Sequence, residues 1–150
     1  MPTRPCIKER IDMPSKSDIE WLIGRRLQSF DRREYDWSAG FDQNAWLVVG
    51  CLWRLIEAGR VRFTSQDEGQ RFGLPAPVDA AAEVARRVVG AIVEAVDLRN
   101  GTLDIEIRFD SGHALQLIPD SSGYEAWHLS DGAREFIAVG GGDLAIFGGG

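Results

Sequence analysis

The chain has 150 residues, 44% hydrophobic and 27% charged, which fits one folded domain with a sizeable core and excludes a fibrous or low-complexity chain. Its net charge is −6, concentrated in residues 36–150, where nine Lys/Arg face seventeen Asp/Glu. An acidic body disfavours nucleic acid, whose phosphates call for clustered cations, and suits a basic protein partner.

Residues 1–16 mix Pro, Lys, Arg and Asp without periodicity and read as a flexible tail ahead of a domain over 17–150. Ser17 and Glu20 have the spacing of a capping box, so a short helix is expected over 18–24, with Ile19, Leu22 and Ile23 on its apolar side and Gly24 at its end. Residues 25–30 suggest a strand and 35–41 alternate as a half-buried one. Residues 45–56 are the most apolar stretch. Leu47, Val49, Cys51, Trp53 and Leu55 share one face and the other is mostly apolar too, so a central strand covered on both sides is expected. Glu57-Ala58-Gly59 turns it into a strand with Val61 and Phe63 facing inward.

Residues 64–79 are polar and carry Gly69, Gly73, Pro75 and Pro77, too many breakers for a strand or helix. The segment reads as a stiff surface crossover. A helix follows over 79–90, with Ala81, Val84, Ala85 and Val88 at helical spacing, Asp79 at its start and Gly90 at its end. From Ile92 the period becomes two. Asn100-Gly101 signals a hairpin, and 103–109, 113–118, 124–129, 134–139 and 144–147 read as a meander. The expected class is α+β: a curved antiparallel sheet or half-barrel of about eight strands, with the 79–90 helix packed on one face.

Tyr35-Asp36-Trp37-Ser38, Trp53-Arg54-Leu55-Ile56, Phe72-Gly73-Leu74-Pro75-Ala76-Pro77-Val78-Asp79 and Ser121-Ser122-Gly123-Tyr124-Glu125-Ala126-Trp127 together resemble a family of small bacterial proteins of unknown function. The likeness covers roughly residues 20–130. In size and architecture such proteins are similar to immunity proteins of bacterial toxin systems. The resemblance implies a bacterial protein and brings no catalytic residue or cofactor with it.

Candidate chemistry is sparse. His113 and His128 sit in strand patterns, where Asp110 or Glu125 and the loop serines Ser121 and Ser122 would have to complete a hydrolytic set, and no Gly-x-Ser-x-Gly elbow surrounds either serine. Metal-ligand spacing is missing, so neither metal nor cofactor is expected. Cys6 and Cys51 read as free thiols of a reducing compartment, and the apolar runs fall short of the ~20 residues of a membrane span. With no charged-then-apolar leader recognised, the chain reads as cytoplasmic. Arg54, in a strand read as buried, needs a carboxylate or carbonyl oxygens, and Asp67, Glu68 or Asp79 is the expected partner.

The favoured function is non-enzymatic: protein–protein recognition of the immunity type, masking a basic partner such as a toxin. The surface would comprise Arg54, Ser65, Asp67, Glu68, Gln70 and Arg71, with Tyr124, Glu125 and Trp127 folded back nearby. The alternative is a small-ligand-binding or hydrolytic protein with a pocket between residues 64–79 and the sheet, using His113 or His128 as base. A homo-oligomeric structural subunit is the third reading.

Overall fold

The computed structural model describes residues 7–11 and 13–148. Its strands are β1 (Ile7–Ile11), β2 (Leu27–Arg32), β3 (Trp37–Phe41), β4 (Trp46–Val49), β5 (Leu52–Glu57), β6 (Arg60–Thr64), β7 (Val93–Leu98), β8 (Ile105–Phe109), β9 (Ala114–Ile118), β10 (Trp127–Ser130), β11 (Arg134–Ala138) and β12 (Leu144–Gly148). One α-helix, α1 (Ala80–Val88), lies among the described residues. The class is therefore α+β and mostly β. The expected eight-strand curved sheet is instead two antiparallel sheets, seven-stranded in the order β1-β12-β11-β10-β4-β3-β2 and five-stranded in the order β6-β5-β9-β8-β7.

The central strand expected over 45–56 is two strands in different sheets, β4 and β5, broken at Gly50-Cys51. Leu47, Val49, Cys51, Trp53 and Leu55 are all buried, so the inward alternation runs straight through the break. The opposite face, Trp46, Val48, Leu52, Arg54 and Ile56, is only half-buried; this stretch is not covered on both sides. The expected meander breaks similarly: β7-β8-β9 belong to one sheet and β10-β11-β12 to the other. Both sheet changes meet at one corner, where the Gly50 amide donates to the Ala126 carbonyl at 2.8 Å.

Facing inner surfaces make the core. Trp53 packs edge-on against Trp37 and Phe30, with ring centroids 5.1 and 5.3 Å apart. Trp127 is fully buried and its Nε1–H donates to the Leu103 carbonyl at 2.9 Å, satisfying the one polar atom an indole brings inside. A bridge between Arg26 and Ile92 joins the beginnings of β2 and β7.

α1 takes the expected form: Asp79 caps it by accepting the Ala82 amide at 3.1 Å, and Ala81, Val84 and Val88 are buried. It packs against the edge strand β2 and against β6, rather than on an open sheet face. The helix expected over 18–24 is two single 3₁₀ turns, Lys16–Asp18 and Glu20–Leu22, and the Ser15 amide rather than Ser17 is met by an acid, Asp18, at 2.9 Å. Part of the expected tail is strand β1, paired with β12; residues 1–6 and 12 lie outside the described residues. Val61, expected inward, is 53% exposed. Ile56 pairs with Val61 and Leu55 with Phe63, so Arg62 is an extra residue, and the bulge reverses the facing of what precedes it.

Candidate functional site

Residues 64–79 spend their acids on their own backbone. The Thr64 amide donates to Asp67 Oδ2 at 2.9 Å, and the Ala80 amide to Glu68 Oε1 at 3.3 Å. Asp79 caps α1. These amides precede or open a turn or helix and have no partner within it, which is why nearby carboxylates are drawn to them. Ser65 Oγ accepts the Trp53 amide at 3.2 Å and fastens the segment to β5. Arg71 closes the loop by donating to the Pro75 carbonyl at 3.0 Å, and Gln70 binds Val78 and Asp67 through its backbone alone.

The expected ion pair between Arg54 and this segment is not formed. Arg54 points outward from β5, where cross-strand register places it beside Gln116, then Glu106, then Asp97. Its guanidinium donates to Gln116 Oε1, whose amide donates onward to Glu106 at 2.8 Å. Arg108 closes the row against Glu106 and Asp97 at 2.7 Å each, and these bonds hold its pKa above the ordinary arginine value, Asp97 contributing most. The direct partner of Arg54 is thus the Gln116 side-chain carbonyl on the same sheet face, with Glu106 one hydrogen bond beyond it. Register supplies it without the loop.

At the corner where the chain changes sheets, two shallow grooves meet at Gly50. The first, about 230 Å3, is lined by Tyr35, Ser65, Glu68 and Asp120 among others, and the second, about 100 Å3, by Asp36, Glu125 and the buried flank of Trp127. Ser121 Oγ accepts the amides of Gly123 and Tyr124 at 3.2 and 3.1 Å, so a hydroxyl shapes this loop. Among the described residues Asp120 and Glu125 have no hydrogen-bond or ion-pair partner, and both are exposed. Tyr124 is 82% exposed and Tyr35, at the tip of the β2–β3 turn, 86%. Arg32 and Arg33 are engaged locally, Arg32 with the Asp36 carbonyl and the Trp37 ring, Arg33 with the Asp36 carboxylate.

Of the residues singled out from the sequence, Ser65, Glu68, Glu125 and Trp127 therefore line this corner, though Trp127 is a core residue rather than an exposed anchor. Asp67 faces the groove beside α1, Arg71 sits farther along the loop, and Arg54 faces another groove, of about 370 Å3. Sequence reading missed Tyr35, Asp36 and Asp120. Tyr35, expected in the strand over 35–41, lies in the turn before β3; Arg33, Glu34 and Asp36 flank it with charge, the pattern of a solvent-facing turn.

The histidines lie in or beside strands of different sheets and do not meet. His113 shares one proton between its Nε2 and Glu57 Oε1 at 2.9 Å and another between its Nδ1 and Ser111 Oγ at 2.9 Å; the His113 bond is the main reason the Glu57 carboxyl lies below its ordinary range. Ser111, His113 and Glu57 have the composition of a hydrolytic triad. However, the larger grooves of the surface are lined by other residues, and Ser111 closes its own turn. His128 bonds Glu135 at 3.0 Å and leans on Trp46. Neither Asp110 nor Glu125 orients a histidine. Burial, with Asp120 nearby, pushes the Cys51 thiol up to about 12, so it is not a nucleophile near neutrality. Among the described residues no three His, Cys, Asp or Glu converge as metal ligands, and no helix is long and apolar enough to cross a membrane.

No family model, curated protein or solved structure matches the chain.

Proposed function

We propose that the chain acts by protein–protein recognition, in the manner of an immunity protein that masks a basic partner such as a toxin in the bacterial cytoplasm. The observation that carries this reading is the corner at Gly50, where both tyrosines of the chain are exposed, Tyr35 lining the groove that holds Asp120 and Tyr124 standing next to Glu125 of the other. Exposed tyrosines bring rigid apolar area with a polar tip and make interface anchors. Asp120 and Glu125, with no backbone amide to satisfy, give the surface a field that attracts cationic side chains and speeds encounter. The mechanism is steric cover plus charge complementarity. No bond is made or broken. The resemblance carried by Tyr35-Asp36-Trp37-Ser38 and Ser121 to Trp127 falls on the same corner.

Affinity capture from the source cell, with the wild-type chain and with Y35A/Y124A and D120K/E125K variants as bait, tests this. One basic polypeptide is expected on the wild type, eluting as salt rises and lost from both variants. Equal retention by all three baits, or a small metabolite in place of a polypeptide, would refute the proposal.

A further inference from the structure

A second surface, apart from the Gly50 corner, lies on the outward face of the five-stranded sheet. The groove of about 370 Å3 that opens there falls in the size range of pockets for small molecules. Strand register sets its groups out in two rows. In the first, Arg54 of β5 is level with Gln116 of β9 and Glu106 of β8. In the second, Ile105 pairs with Leu117, so Asp104, one residue earlier, comes level with Ile118. Because β9 runs between β5 and β8, Arg54 and Asp104 stand on the two sides of Ile118. Arg99, at the outer rim, donates its amide to the Asp104 carbonyl at 2.9 Å.

The charges of this groove are unevenly used. Asp97 and Glu106 are taken by Arg108, at 2.7 Å each. Arg54 meets no carboxylate directly: it donates to the neutral Gln116 side chain, and its Nε is buried with no hydrogen-bond partner. A half-buried guanidinium so placed is only partly compensated. The half-buried Asp104 carboxylate has no hydrogen-bond or ion-pair partner among the described residues, Arg99 included. One cation and one anion are therefore left over, with apolar Ile118 between them.

We infer that the groove binds a free α-amino acid with an apolar side chain: Arg54 takes its carboxylate, Asp104 its ammonium, and Ile118 underlies the side chain. Charge balance selects this occupant. Arg54, Arg99 and Arg108 offset Asp97, Asp104 and Glu106, so a net-charged molecule gains nothing from the field as a whole. A pure anion would be opposed at Asp104 and a pure cation at Arg54. A zwitterion, neutral overall, engages both at once, and each contact is a charge-assisted hydrogen bond.

Titrating the 15N-labelled full chain with L-leucine, with N-acetyl-leucine (no ammonium) and with leucinamide (no carboxylate) tests the inference. Leucine is expected to shift the amides of residues 97–99, 104–106 and 116–118. Each blocked analogue should bind about tenfold more weakly, the size of one lost hydrogen bond to a charged group. D104N should weaken leucine by the same factor and leave N-acetyl-leucine where it was. Its melting temperature without ligand should match wild type, since Asp104 holds nothing in the fold. Equal binding of the three compounds, leucine binding undiminished in D104N, shifts confined to other parts of the chain, or no shifts at millimolar leucine would each overturn it.

Discussion

Residues 65–79 leave β6 and enter a helix, whereas residues 119–126 leave β9 and enter β10 in the other sheet. In the first connection Asp67, Glu68 and Asp79 each accept a backbone amide; in the second Ser121 accepts two, and Asp120 and Glu125 stay turned to the grooves. The cause is the element that follows. A helix N-terminus presents amides that nothing within the helix can satisfy, and carboxylates are drawn to them. A crossover between strands has fewer such donors, and one hydroxyl is enough. Acids in the first connection hold the fold. Those in the second hold no backbone amide.

The largest expected effect concerns support of the second connection. A Cβ on Gly140 would lie 3.0 Å from the Ser122 carbonyl oxygen and 3.2 Å from the Gly123 carbonyl carbon at a φ of +101°. G140A should cost about 3 kcal/mol in urea unfolding, from steric overlap plus left-handed strain. The contrast is G73A in the first connection, where φ is +78° but nothing lies within 4 Å. There only the strain of about 1 kcal/mol is expected. Equal losses would show that the two connections are supported alike.

Removing acids sharpens the comparison directly. D79A should cost about 1 kcal/mol as a lost helix cap, while D120A and E125A should stay within about 0.5 kcal/mol of wild type. If E125A destabilises as much as D79A, its carboxylate is structural and the division fails. In the same denaturation series F72G should stabilise by about 0.5 kcal/mol, the strain released at its φ of +48° slightly exceeding the added chain entropy of glycine.

The smallest effect is in pH. Glu57 and Glu83 have folded-state pKa values below the ordinary 4.5, Glu57 chiefly through its bond to His113 and Glu83 chiefly through its bond to Arg86. A depressed folded value means the stabilisation is present above the unfolded pKa and is lost as pH falls through the folded one. Stability should therefore decline on acidification below about pH 4.5, and less steeply in E57Q/E83Q. An unchanged acid limb in that variant would contradict the assignment.

Much of the fold could be read beforehand where one local rule decides. Asp79, Ala81, Val84 and Val88 announce α1, and Asn100-Gly101 with the alternation to Phe109 announces a hairpin. The break at Gly50-Cys51 was hidden for a physical reason. Both sheets send alternate residues into one core, so Leu47 through Leu55 keep period two while the backbone crosses from one sheet to the other. No local pattern encodes the partner of Arg54, which depends on the register between β5 and β9. The acids at 67, 68 and 79 looked available for recognition because sequence gives their proximity to a helix start without showing which amides they meet. Trp127 looked similarly ambiguous until parity in β10 placed it inside.

The central claim is that the Gly50 corner, through Tyr35 and Tyr124, meets a basic protein. A photo-crosslinking residue placed singly at Tyr35, at Tyr124 and, as a control, at the exposed Val89 of the α1 end tests it in the source cell. The expected result is one basic polypeptide joined from both tyrosine positions and not from Val89, with its yield falling as salt is raised. Adducts from Val89 alone, or none from either tyrosine, would contradict the claim.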